Sequence, residues 1–302
     1  MVSVVDQKSQ KAMDQTSRTA ALVVGGALAI ATPATADEAT FLERTALAAA
    51  AHDCGLLTEN ERIALEAGRL QARNAVLRAG LYVGDVNAAE GEAAAYGEDV
   101  KCNDPVLKSE LARLRDAYNA FRIQSRIDYP GDQQGWAASR KRVDDWHVVQ
   151  KGADTHAIVA FGLRRISRDL ENDGVGELTL SIQFDAAQPA PATAILRLRD
   201  TALSTDPWLR GVFSSTPTPP PSDMATAVLA SRRDVVEGDL RSAKTVRFVF
   251  PATLAQHLAS LDPRERFEIR LTPARPGDPA QRFVFEVGDF APAMAFASLP
   301  PL

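Results

Sequence analysis

Apolar residues recur at every second position in five segments of the second half of the chain. Leu178, Leu180, Ile182 and Phe184 alternate with Thr179, Ser181 and Gln183, and Ala194, Leu196 and Leu198 alternate with Ile195, Arg197 and Arg199. Val246, Phe248 and Phe250 alternate with Arg247 and Val249. Phe267, Ile269 and Leu271 alternate with Glu268 and Arg270, and Phe283, Phe285 and Val287 with Val284 and Glu286. A strand sends successive side chains to opposite faces, so the pattern predicts an antiparallel sheet with one buried face. Residues 147–150 and 157–163 give less clean strands. Two helices interrupt the series. Pro251 opens one that carries Leu254, Leu258 and Leu261 and closes at Asp262-Pro263. Asp289 is expected to cap the other, which carries Phe290, Met294 and Ala297 and accommodates Pro292 in its first turn.

Before residue 127 the period is helical. A first helix over residues 38–53 places Leu42, Ala46, Ala49 and Ala50 on one face and stops at Gly55. Thr58 and Glu61 have the spacing of a capping box for a second helix. Its face carries Ile63, Ala67, Leu70 and Leu77, is interrupted by the polar Asn74, and ends at Gly80. Asp85 is expected to cap a third, alanine-rich helix. Asn103 or Asp104, ahead of Pro105, starts a fourth with the stripe Leu107, Leu111, Leu114, Tyr118 and Phe121. The fold class is therefore α+β: an N-terminal disulfide-stapled helical bundle over residues 37–126, a linker or junction over 127–145, and an antiparallel β-rich, sandwich-like domain with two helices over 146–302. The proline-rich residues 214–223 are expected to form an exposed loop of polyproline character.

The N-terminus reads as processing sequence. Lys8, Lys11 and Arg18 precede an apolar run over residues 20–31, and Ala34-Thr35-Ala36 places small residues where a signal peptidase reads them. The run is 12 residues long, well short of a transmembrane helix of about 20. Residues 1–36 are thus expected to be a signal peptide, with Met13 an alternative start and an uncleaved anchor the competing reading. Loss of Lys8, Lys11, Arg18, Asp6 and Asp14 would move the formal charge from −5 to −6. A net acidic chain argues against nucleic acid and against electrostatic docking on anionic lipid. The two cysteines, Cys54 and Cys102, read as a disulfide in an exported chain, the alternative being two unrelated buried thiols. The expected location is periplasmic or secreted, with no membrane span in the mature chain.

The order helix, strand, strand, helix over residues 251–299, ending in Val287-Gly288-Asp289-Phe290, resembles the invasion-associated locus B family of exported bacterial proteins. The resemblance covers about the last 50 residues and implies an envelope association. It implies no catalytic residues, and the domain lacks the cysteines common in that family.

No stretch of the chain carries a nucleophile elbow, a Ser-x-x-Lys motif or a His-Glu-x-x-His pair. His147 and His156, on neighbouring expected strands, are weak metal candidates. Glu90 with Glu92, or Asp144 with Asp145, would serve a hydrolase only across a cleft. The strongest binding candidate is the junction, where Trp136 and Trp146 flank Arg140, Lys141 and Arg142, since Trp and Arg dominate interaction hot spots. The competing reading packs both tryptophans between the domains. The outward Arg197, Arg199, Arg247 and Arg270 would suit an anionic glycan, although Glu177, Glu268 and Glu286 are interspersed among them. The expected function is a non-catalytic binding or interaction module of the cell envelope, with an envelope protein or glycan as partner and no cofactor. The alternatives are a carboxylate-based hydrolase acting on envelope material and a structural envelope-integrity protein.

Overall fold

The structure, a computed structural model, describes residues 38–152, 157–166, 176–185, 189–209, 218–237 and 243–302. The leader reading over residues 1–36 lies outside them, as does His156.

The helical half begins with α1, Glu38–Asp53, and α2, Glu59–Arg78. The capping box forms: Glu61 N donates to Thr58 Oγ1 at 3.3 Å, and Thr58 N donates to Glu61 Oε2 at 2.8 Å. α3, Val83–Glu98, starts at Tyr82. Asp85 therefore lies inside its first turn and caps nothing, a position that still favours an acidic side chain through the helix dipole. α4, Pro105–Phe121, is capped by Asp104, whose carboxylate accepts from Val106 N at 2.7 Å and Leu107 N at 3.3 Å.

α2 packs against α1, α4 and the C-terminal helix, so it is buried on more than the one stripe its sequence advertises. One small core joins Ala50, Ala51, Leu65, Leu107, Leu111 and Leu114; a second joins Phe41, Ala72, Val76, Leu77 and Val86. Alanine gives little apolar area to such cores. The Cys54–Cys102 disulfide, with Cα atoms 5.5 Å apart, ties the end of α1 to the approach to α4.

The remaining elements are β1 (Arg126–Tyr129), β2 (Trp136–Ser139), β3 (Trp146–Lys151), β4 (Ile158–Arg164), β5 (Glu177–Asp185), β6 (Thr193–Arg199), β7 (Ala225–Leu229), β8 (Arg232–Glu237), β9 (Ala243–Val249), α5 (Thr253–Ala259), β10 (Arg266–Thr272), β11 (Gln281–Glu286) and α6 (Phe290–Ala297). They form two sheets, ordered β1-β2-β3-β4-β5-β9-β8 and β11-β10-β6-β7, with every pairing antiparallel. The inner side chains of both sheets share one core. Phe161 lies 5.1 Å from Phe267 and 5.3 Å from Phe285 between ring centroids, and Trp136 lies 6.4 Å from Phe161.

Residues 127–145 were expected to link domains; they hold β1 and β2 and extend the large sheet. Strands of four residues are too short to show a period. The proline-rich stretch also departs from expectation within its described part, where Pro219 and Pro220 are buried. The Pro220 carbonyl accepts from Arg197 Nη2 at 2.6 Å, so this backbone is pinned against the small sheet.

Two glycines are required by geometry. The β3–β4 register shifts between Trp146 and Val148, and Gly162, which pairs with Val149 just beyond the shift, has φ 154°. A Cβ there would stand 2.1 Å from the Val148 carbonyl oxygen. Gly288, at φ 47°, turns the chain from β11 into α6. That turn sets Asp289 at the N-cap position, yet its side chain makes no cap bond. It accepts instead from Asn74 Nδ2 at 2.9 Å and from Arg78 Nη1 and Nη2 at 2.7 and 3.1 Å. The polar interruption on α2 is thus an attachment point between the helices and α6.

Candidate functional site

The junction residues separate into two kinds. Trp136 is 1% exposed; its Nε1 donates to the Val287 carbonyl at 2.9 Å and its ring meets Phe290 at 4.9 Å. Arg140 is also buried, lying over the Phe296 ring at 5.4 Å. Its guanidinium donates to the carbonyls of Pro300, Arg122 and Gln124, holding the end of α4, β2 and the C-terminal segment together. Both side chains are engaged in packing; the competing reading placed both tryptophans there, and of the two only Trp136 is buried. Lys141 is exposed, and Arg142 and Trp146 are partly exposed.

The other candidates disperse as well. His147 is buried on β3. Among the described residues, no group of three or more His, Cys, Asp or Glu side chains is placed to hold a metal ion. Glu90 is an ion-pair partner of Arg69 and Arg73, Glu92 is exposed, and Asp144 accepts from Ser139 Oγ at 2.5 Å. One cleft of about 190 Å³ includes His52, Arg62 and Glu66 in its wall, but Glu66 is engaged by Arg69 through both oxygens. A second, of about 270 Å³, opens at one end of the shared core between Ile182, Phe184 and Leu271 under Pro189 and Pro279.

Charge concentrates on the outer face of the small sheet, where β11, β10 and β6 set their outward residues side by side. Strand alternation puts Arg266, Glu268 and Arg270 of β10 on this face. The register sets Glu286 opposite Arg266, Arg197 opposite Glu268, and Arg282 opposite Arg270.

At one end of this face the charges cancel. Arg199 meets Glu265 in a buried two-point pair at 2.7 and 2.9 Å, and Arg266 meets Glu286 at 2.7 Å. Burial pushes the Glu286 carboxyl above the usual range, outweighing Arg266 and the backbone donors Gln133 and Gln134.

At the other end they do not cancel. Glu268 is fully buried, with Arg197 at 2.9 Å, Arg270 at 2.8 Å and Arg282 at 2.6 Å. Neither of its oxygens has a hydrogen bond of good geometry, so charge holds the three guanidiniums around it. Three arginines against one carboxylate leave an excess of two positive charges on a chain whose net charge is −5. The sequence displays Arg197 and Arg270 as outward positions, while Arg282 lies one residue before the alternation read for its strand. It does not show that Arg197, Arg270 and Arg282 share one carboxylate, because β6 becomes the neighbour of β10 only in the folded sheet order.

No protein-family model matches this chain, and neither a curated protein nor a solved structure shows significant similarity to it.

Proposed function

We propose that this chain is an exported, non-catalytic binding module of the bacterial cell envelope. The observation that carries the reading is the uncompensated arginine group on the small sheet: Arg270 and Arg282 are half open to water on neighbouring strands and form a recognition surface rather than an acid–base pair. The disulfide supports an oxidising compartment. So does the expected leader, and no described helix is long and apolar enough to cross a membrane. The resemblance of residues 251–299 to the invasion-associated locus B family belongs to the same reading, and α5, β10, β11 and α6 follow one another in the order on which it rests. We further read the two sheets as a sandwich and the four N-terminal helices as a bundle attached to it.

Crosslinking of the tagged protein in living cells tests the function. Reproducible capture of one envelope component, lost on Arg270→Gln with Arg282→Gln, supports it. Capture that instead depends on Trp146→Ala places the contact at the exposed part of the junction. Retention of residues 1–36 together with cytoplasmic fractionation would overturn the proposal.

A further inference from the structure

We infer that Arg270 and Arg282, positioned by Glu268, form a binding site for a phosphate monoester group. The inference rests on the binding-module reading and gives that surface its ligand chemistry.

Arg270 and Arg282 are directly opposed across the β10–β11 pairing. Like charges set opposite on neighbouring strands destabilise a sheet. A sequence selected for stability alone would place an acid at one of the two positions. The only acidic partner of either arginine among the described residues is Glu268, which Arg197 also uses. Arg197 is otherwise committed, since its Nη2 donates to the Pro220 carbonyl. Among the described residues, Arg270 and Arg282 have no such second tie. Both approach Glu268 most closely through Nε, without a hydrogen bond of good geometry, and their side chains are 53% and 47% exposed. Their donors are therefore available to an acceptor arriving from solvent.

A buried carboxylate behind two half-exposed guanidiniums restrains the forks before a ligand arrives, which lowers the ordering cost of binding. Guanidinium forks match the spacing of phosphate oxygens and donate in pairs. Charge then selects within the oxyanions. A phosphate monoester carries about two negative charges near neutral pH, equal to the local excess. A carboxylate or a phosphodiester would neutralise only half of it.

The test is calorimetric titration of the mature, disulfide-intact protein with glucose 6-phosphate, with glucose as the uncharged control. A parallel flotation assay uses phosphatidylcholine vesicles with and without phosphatidic acid. Saturable binding of glucose 6-phosphate is expected. It should weaken at least about tenfold in Arg270→Gln/Arg282→Gln and stay unchanged in Arg232→Gln, an arginine of the other sheet. Thermal melting of the double variant should stay cooperative, since Arg197 still pairs with the buried Glu268, so that lost binding is not lost folding. Added binding to phosphatidic acid vesicles identifies a lipid headgroup as a source, and binding of the soluble ester alone identifies a phosphorylated saccharide. Glucose 6-phosphate binding no tighter than glucose, or a double variant that binds like the wild type, overturns the inference. If envelope capture still depends on the two arginines in that case, the binding-module reading stands and only the phosphate assignment falls.

Discussion

Asp289 carries more of the architecture than its place at a helix start suggests. It is fully buried and satisfied by Asn74 and Arg78 across the contact between α2 and α6. Burial, with the nearby Asp289 charge second, also pushes the Tyr129 phenol upward. Removing one partner of a buried pair leaves the other charge without its counterpart. Asp289→Ala should therefore cost about 3 kcal/mol in urea unfolding, well beyond the loss of an ordinary helix cap. The Glu286 carboxyl gives a second prediction, in pH. Its folded pKa lies above the ordinary 4.5, so the folded state holds this proton at a pH where the unfolded chain has lost it. Its contribution to stability is greatest below the ordinary value and declines as pH rises through the folded value. Unfolding measured between pH 4 and pH 7 should show this component, and Glu286→Gln should flatten it.

At the scale of elements, the inner faces of the strands follow the sequence closely. Leu178, Leu180 and Ile182, and likewise Phe267, Ile269 and Leu271, are all buried as their alternation requires. The outer faces do not follow so simply, because Arg199, Arg266, Glu268 and Glu286 are buried too. Alternation separates two faces but carries no information about which loops cover the second one. β1 and β2 were illegible for a different reason: each has four residues, and Pro130 and Gly131 between them read as a break. Gly162, paired with Val149 beside the β3 bulge, makes a local claim. Gly162→Ala forces a Cβ against the Val148 carbonyl and should destabilise by about 2 kcal/mol, read as a lowered denaturation midpoint. A change in ligand binding of the same size would show that the β3–β4 distortion also shapes the site.

Across the whole molecule, the helices are tied to the sheets at several separate places. Phe121 meets Phe296 edge to face at 5.2 Å, Arg78 meets Asp289, and Arg264 Nη1 donates to the Leu81 carbonyl at 3.3 Å. The disulfide works inside the helical part, whose two cores are small. Closing a 48-residue separation stabilises by about 4 kcal/mol on the chain-entropy account. Reduction should therefore lower the melting transition of the helical part more than that of the sheets. Circular dichroism against near-ultraviolet tryptophan signals can separate the two, since Trp136 and Trp146 lie on strands. Coincident transitions would mean that the interface holds both parts as one cooperative unit.

The sequence by itself determined what is local. The helix start at Thr58, another at Asn103 or Asp104, the buried parity of the five clean strands and the expected pairing of the only two cysteines each depend on residues a few positions apart or on a count of two. Tertiary structure decided what depends on neighbours brought from far along the chain. Trp136 and Arg140 became packing because Val287, Phe296 and Pro300 come back to them. Asn74 became an attachment point because Gly288 turns Asp289 toward α2. Arg197, Arg270 and Arg282 became a group because the order β11-β10-β6 sets three separate outward positions around Glu268. Coulomb energy falls with distance in space and is indifferent to separation along the chain, so the site is a property of the sheet order and not of any one strand.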